Sequence, residues 1–141
     1  DVIGLEWSLV HEEACRWEHV MSEQVERRLI EMLGHPTESP FGNPIPAMED
    51  IGGPASEKFL KGVIRVTDFA TEQPRTGLLR RLGEPAQFDP QLLATFKAAG
   101  VIPGARVSVS VVGSEYRLTT EHPQGEVVVP ASIAEHLYLA Q

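Results

Sequence analysis

The sequence predicts an α+β protein in which a helical segment precedes a small β-barrel. Three observations favour this fold class. Apolar residues recur at intervals of three and four up to residue 33, prolines and glycines crowd residues 34–54, and short, partly alternating apolar runs occupy the remainder. Because 42% of the 141 residues are hydrophobic, the chain can bury the core of one ordinary domain or of two small ones.

Acidic residues outnumber basic residues. The chain carries 20 Asp and Glu against 12 Lys and Arg, a formal charge of −8 at pH 7. This charge repels a phosphate backbone, so we do not expect this stretch to bind DNA by itself. The single cysteine, Cys15, excludes an internal disulfide and suits a reducing cytoplasm, where a thiolate can bind metal. No signal peptide or membrane-spanning run is apparent, and we expect from its first residue, Asp1, that the sequence begins inside a longer protein.

The first predicted helix covers Trp7–Met21. Its apolar positions are spaced as on one helix face: Trp7, Val10, Ala14, Trp17 and Met21. We expect the two tryptophans to pack inside the helical segment or at a dimer interface, whereas a ligand-stacking role is disfavoured. A second helix follows, with Ser22 as its N-cap and Gly34 just beyond its end.

A stretch rich in proline and glycine separates the helices from the barrel. Residues 36–46 contain too many prolines for a helix interior or a central strand, so we expect an ordered loop or linker. The run Gly52-Gly53-Pro54 has few side chains to pack and indicates a domain boundary. The predicted organisation is a partial helical domain at residues 1–46, a linker at residues 47–61 and a barrel at residues 62–141.

The predicted barrel has five or six strands interrupted by one helix. That helix begins with Asp89 as N-cap and Pro90 at its first position. A turn at Gly113-Ser114 joins two strands into a hairpin, and Pro130 starts a single helical turn. The predicted strands are Val63–Val66, Leu78–Leu82, Val107–Val112, Tyr116–Thr120, Gly125–Val129 and Leu137–Leu139.

Four potential metal ligands lie along the first predicted helix: His11, Cys15, Glu18 and His19. At about 100° per residue, they fall within an arc of roughly 100° on one helix face. Nitrogen, sulfur and oxygen donors together suit Fe(II), Co(II), Ni(II) or Zn(II) better than Mg(II) or Ca(II). A solvated polar strip with a half-buried thiol explains the same spacing equally well, and one helix cannot close a metal site without donors from elsewhere.

Two motifs resemble one known family. The runs His11-Glu-Glu-Ala-Cys-Arg-Trp-Glu-His-Val-Met-Ser22 and Ser39-Pro-Phe-Gly-Asn-Pro-Ile-Pro46 are similar, in order and spacing, to the second domain of the iron-dependent regulators, the family of the diphtheria toxin repressor. Residues 62–141 resemble more loosely the SH3-like (FeoA-type) domain of those regulators. The resemblance implies a cytoplasmic, homodimeric, metal-dependent repressor, whose operator DNA is bound by an N-terminal winged helix-turn-helix absent from this chain.

The resemblance also implies metal ligands, residue by residue. Cys15, Glu18 and His19 are similar to members of the primary regulatory site, in which Cys15 can offer its carbonyl oxygen as well as its sulfur. His11 is similar to a ligand of the second, ancillary site. The other helical partners of His11 would precede Asp1, so each site would be incomplete here.

The SH3-like domain of the family gives the ancillary site a Glu and, three positions later, a Gln. Glu84 and Gln87 offer that pair in a predicted loop, although Pro85 departs from the family pattern. The thiol of Cys15 favours iron, because the manganese-specific relatives carry a carboxylate at the corresponding position and lack the barrel. We therefore expect Fe(II) as the corepressor, with Co(II), Ni(II), Zn(II) or Mn(II) as substitutes. A manganese-responsive regulator is the alternative.

Other functions compete with this interpretation. A stand-alone metal-binding or protein-interaction module fits the barrel but not the helical motif. An enzyme with Cys15 as nucleophile and His19 as base is disfavoured, because no glycine-built oxyanion pocket adjoins them.

The proline-rich segment also has two interpretations. It can bind the SH3-like barrel within the chain and compete with the active dimer, or act as a rigid linker that positions the barrel. We expect His35, His122 and His136 to be surface residues.

Overall fold

The structure, a computed structural model, describes residues 2–46, residue 50 and residues 58–141. Two helices and a proline-rich loop precede a six-stranded antiparallel sheet with short helices between its strands. This architecture confirms the predicted α+β class. The predicted linker at residues 47–61 falls mostly outside the described residues. Within the described part of the chain, no helix is long and apolar enough to cross a membrane.

The first helix is shorter than predicted. A 3₁₀ turn at Trp7–Leu9 leads into α1 at Val10–Trp17, and the predicted helical turn up to Met21 is wrong. The N–H groups of Val20 and Met21 both donate to the Trp17 carbonyl at 3.0 Å. These bonds close a turn directly after the C-terminal end of α1. The chain then becomes extended at Ser22, whose hydroxyl accepts the Val25 N–H as the N-cap of α2 at Glu23–Met32.

The sheet has the strand order β1-β6-β2-β3-β4-β5, with all neighbours antiparallel. All six predicted strands are confirmed, with bounds that shift by one to three residues. One difference is at Val66, which was predicted to end a strand and instead begins a helical turn, because its buried side chain anchors the chain where it bends. The strands are Val63–Arg65 (β1), Arg75–Leu82 (β2), Arg106–Val112 (β3), Glu115–Glu121 (β4), Gln124–Pro130 (β5) and Leu137–Ala140 (β6).

Four short helices connect the strands, and the largest packs on the core. The predicted helix at Pro90–Ala98 (α5) is confirmed, with both Gln91 and Leu92 N–H groups donating to the Asp89 carboxylate. Its inner face buries Leu93 and Phe96 completely against the strands. The other three are Val66–Phe69 (α3), Glu84–Gln87 (α4) and Ala131–Ala134 (α6).

The proline-rich segment is an ordered loop, as predicted. A β-bridge between Glu38 and Pro44 closes it, and Phe41 at its tip is only 3% exposed within the hydrophobic core of the barrel. Gly42 lies against the β2 backbone, with φ +76, and an added Cβ would overlap the carbonyl oxygen of Arg80. The loop therefore contacts the sheet through its Phe-Gly tip and leaves Pro40 exposed.

Candidate metal centre and its contact with the barrel

The predicted ligands of the helical segment form two pairs. The Cys15 Sγ lies 3.5 Å from the His11 Nε2, one helical turn apart on α1. The His19 Nε2 lies 2.9 Å from the Glu18 Oε1. His11 is half-buried, and the other three side chains are exposed. Imidazole, thiol and carboxylate are thus accessible at the surface, where a metal ion can reach them.

The prediction that the four side chains share one helix face is wrong, because α1 ends at Trp17. Glu18 still has helical backbone angles as the C-cap, whereas His19 lies in the turn beyond it. Across the described residues, no three His, Cys, Asp or Glu side chains converge on one point. The described residues therefore contain no complete donor set, and the metal-ligand role of His11, Cys15, Glu18 and His19 stays a prediction.

Glu84 and Gln87 lie in a helical turn, α4, and the prediction of a loop there is wrong. Pro85 favours this turn, because its fixed φ suits the first positions of a helix. Glu84 is exposed, whereas Gln87 is 5% exposed and donates its Nε2–H to the Leu82 carbonyl at 2.7 Å. This hydrogen bond fixes the orientation of the Gln87 amide.

Aromatic contacts bring His11 to the α4 turn. The His11 ring meets the Phe88 ring edge-on, with centroids 4.8 Å apart and an interplanar angle of 87°. The centroid of the Phe41 ring lies 6.4 Å from that of His11. Phe88 follows Gln87 directly, so the structure brings His11 close to the turn that carries the predicted pair from the barrel. The contacts of Phe41 and Phe88 with His11 were not predicted from the sequence.

The Leu82 backbone joins the proline-rich loop to α4. Its carbonyl accepts the Asn43 Nδ2–H at 2.8 Å in addition to the Gln87 amide, and its N–H donates to the Phe41 carbonyl at 3.0 Å. The Oδ1 of Asn43 is buried and accepts no hydrogen bond from the residues that the structure describes. The loop and the candidate second site therefore share one anchoring residue at the end of β2.

Two contacts of the 3₁₀ turn also hold the helical segment on the barrel. The Trp7 Nε1–H donates to the Pro40 carbonyl at 3.0 Å, and its ring lies 5.1 Å from that of Phe41. Lys97 of α5 pairs with Glu6 at 2.5 Å. The hydrogen bond from Lys97 and the positive charge of its ammonium group lower the pKa of Glu6 below its ordinary value of 4.5. The helical segment is thus docked by packing and by charge.

The helical segment leaves apolar side chains uncovered. Of the fifteen exposed large hydrophobic side chains among the described residues, nine lie at residues 2–33. Trp17 is 43% exposed and Met32 is 59% exposed, and Val25, Leu29 and Met32 line an open groove along α2. Such a concentration of exposed apolar surface is typical of an interaction face.

The sequence contains three further histidines. His35 and His122 are exposed, and His136 is half-buried 3.4 Å from Glu135. These positions agree with the expectation of surface residues.

Residues 1–47 match the family described as iron dependent repressor, metal binding and dimerisation domain. Over 110 residues, 77% of this chain, the sequence is 52% identical to the iron-dependent repressor IdeR of Mycobacterium leprae, of which it covers 48%. Over all 141 residues it is 36% identical to the diphtheria toxin repressor of Corynebacterium diphtheriae, of which it covers 61%. The chain thus spans about half the length of the first of these relatives and under two thirds of the second.

Solved structures of metal-dependent regulators share the fold. A manganese-dependent transcriptional repressor in complex with manganese superimposes with a TM-score of 0.75 over 99% of this chain and 62% of its own, at 23% identity. Because this overlap includes the barrel, the expectation that manganese-specific relatives lack the barrel is wrong for this repressor. The IdeR of T. acidophilum superimposes with a TM-score of 0.71 over 98% of this chain and 58% of its own, at 27% identity. These likenesses confirm the predicted fold, a helical segment followed by an SH3-like barrel. Together with the sequence relatives, they lead to one conclusion: the chain is similar to iron-dependent repressors, and its residues 1–47 match the metal binding and dimerisation domain of that family.

Proposed function

We propose that this chain is the metal-sensing and dimerising part of an Fe(II)-dependent transcriptional repressor that acts in the cytoplasm. The observation that carries the proposal is that Cys15, Glu18 and His19 are exposed, and His11 is half-buried, within the segment that matches the family's metal-binding domain. In this function, an N-terminal domain outside this chain binds operator DNA, because the charge of −8 opposes DNA binding by the chain itself.

The donor chemistry fits a transition metal ion. Cys15, Glu18 and His19 would hold the primary site, and His11, Glu84 and Gln87 would contribute to the second. When bound, the metal supplies a positive centre shared by donors from separate parts of the protein. The residues of this chain would present the donors: the Cys15 thiol is exposed, and the Leu82 carbonyl accepts the Gln87 Nε2–H and so orients the amide.

The thiol supports iron as the physiological metal. Thiolate and imidazole donors bind borderline ions such as Fe(II), whereas Mn(II) prefers oxygen donors. Co(II), Ni(II) and Zn(II) satisfy the same donors, so the metal in the cell depends on availability as well as on affinity.

A second copy of the chain is the proposed occupant of the uncovered helical surface. Trp17, Val25 and Met32 expose apolar area that a dimer would bury, in a segment whose family description includes dimerisation. The dimer would exist in two arrangements, of which one places both DNA-binding domains on paired half-sites. Metal would favour that arrangement by binding to it more tightly.

The proline-rich loop favours a positioning role over a competing peptide role. Phe41 is buried in the barrel core, and the Phe41 carbonyl and Asn43 amide both bond to the Leu82 backbone. Releasing the loop would expose this core, so the loop holds the barrel beside the helices. A peptide of residues 36–47 should therefore not bind measurably to the intact chain.

Anaerobic operator binding by the full-length protein tests the function. With Fe(II), we expect tight operator binding, which Glu18→Ala abolishes. The matched control is Glu12→Ala, which removes a carboxylate that pairs with Arg16 at 2.6 Å on the same helix. The control should bind operator like the unchanged protein. Equal operator binding with and without Fe(II), or equal loss in both variants, would contradict the proposal.

A further inference from the structure

Phe88 is an exposed aromatic residue whose ring packs on a proposed metal ligand. It is 65% exposed, although it occupies a position directly after the buried Gln87. Its ring contact within the described residues is with His11, at 4.8 Å and nearly perpendicular. An aromatic pair in this geometry is attractive, because the positive edge of one ring meets the negative face of the other.

We propose that Phe88 is a positioning residue for the second metal site, which holds the His11 imidazole and the α4 turn together before metal binds. This inference rests on the proposed role of His11, Glu84 and Gln87 in that site. In this proposal, the contact between the Phe88 and His11 rings sets the separation between α1 and the α4 turn.

The α4 turn is rigid enough to transmit this contact. The Gly83 N–H donates to the His136 carbonyl at 2.7 Å, and the Ala86 N–H closes the turn on the Gly83 carbonyl at 3.1 Å. Gln87 is fixed by its bond to Leu82. Because Phe88 continues this turn, its contact with His11 places the proposed donors of the turn at a fixed distance from α1.

The imidazole is restrained on more than one side. His11 contacts the rings of both Phe88 and Phe41, and its Nε2 lies 3.5 Å from the Cys15 Sγ. The His11 ring therefore loses fewer orientations when metal binds. Preorganisation of this kind raises metal affinity, because less conformational entropy is lost on binding. Without the Phe88 ring, both the imidazole and its distance from α4 would be less restricted.

Calorimetric titration of the full-length protein with Co(II) alone tests the proposal. His11→Ala first identifies the binding step that belongs to the second site. We expect Phe88→Ala to weaken that step by about two- to ten-fold, the range of one aromatic pair, and to leave the Glu18-dependent step unchanged. Phe88→Tyr should restore affinity. Leu78→Ala, which truncates a 42% exposed side chain elsewhere on the barrel, is the matched control and should leave both steps unchanged.

A metal-free measurement supplies a second readout. In nuclear magnetic resonance spectra of this chain, the His11 ring protons should shift on Phe88→Ala and stay in place on Leu78→Ala. An unchanged second step and unchanged His11 resonances in Phe88→Ala would overturn the inference alone. If His11→Ala removed no binding step, the second site of the proposed function would fail, and the inference with it.

Discussion

Replacing Phe41 by Ala should destabilise the protein strongly, because this loop residue belongs to the barrel core. The side chain is 3% exposed, and its ring lies 5.1 Å from that of Trp7. Truncating a buried Phe to Ala costs about 3–5 kcal/mol, which combines lost burial with the cavity that remains. The aromatic pair with Trp7 accounts for about 0.5–1.5 kcal/mol of that loss.

Urea unfolding followed by tryptophan fluorescence measures this effect, since Trp7 reports on the docked loop. The same-residue control is Phe88→Ala, whose side chain is 65% exposed and should cost no more than about 1.5 kcal/mol, the upper value for an aromatic pair. A free energy of unfolding for Phe41→Ala within 1 kcal/mol of that control would refute the conclusion that the loop completes the barrel core.

Three further changes test other contacts. Gly42→Ala should release the loop by overlap with β2 and cost at least about 2 kcal/mol in urea unfolding, whereas Gly113→Ala, also at positive φ but in open space, should cost about 1 kcal/mol. Asp89→Ala should cost about 0.5–2 kcal/mol in thermal unfolding through loss of the α5 N-cap. Because the pKa of Glu6 is lowered in the folded state, the ion pair with Lys97 contributes to stability above pH 4.5, and this contribution is lost as pH falls through the lowered pKa. Lys97→Met should raise the Glu6 pKa, which a carboxyl titration by nuclear magnetic resonance measures.

The sequence predicted elements that local chemistry specifies. The caps at Ser22 and Asp89 were predicted because a side-chain oxygen next to free backbone N–H groups is a local signal. The hairpin around Gly113-Ser114 follows from strand alternation and a turn residue that tolerates positive φ. These features depend on neighbours within a few residues, and the structure confirms them.

Features that depend on short turns or distant contacts were not predicted. The α4 turn at Glu84–Gln87 is too short to show helical periodicity, and the end of α1 is decided by competition with the Ser22 cap. The backbone bond of Phe41 with Leu82 joins residues 41 positions apart, and the contact of His11 with Phe88 joins residues 77 positions apart. The lone large aromatic side chain within the proline-rich segment was the available signal that Phe41 packs inward.

The mutual effect of Fe(II) and operator DNA on each other's binding affinity shows whether the metal is a corepressor. If metal acts as corepressor by favouring one arrangement, operator DNA must tighten Fe(II) binding by the same factor by which Fe(II) tightens operator binding. We would measure both affinities anaerobically in the full-length protein and in Glu18→Ala. We expect Fe(II) and operator DNA to tighten each other's binding by the same factor in the full-length protein, and to have no effect on each other's binding in Glu18→Ala. Fe(II) affinity that is unchanged by saturating operator DNA would contradict it.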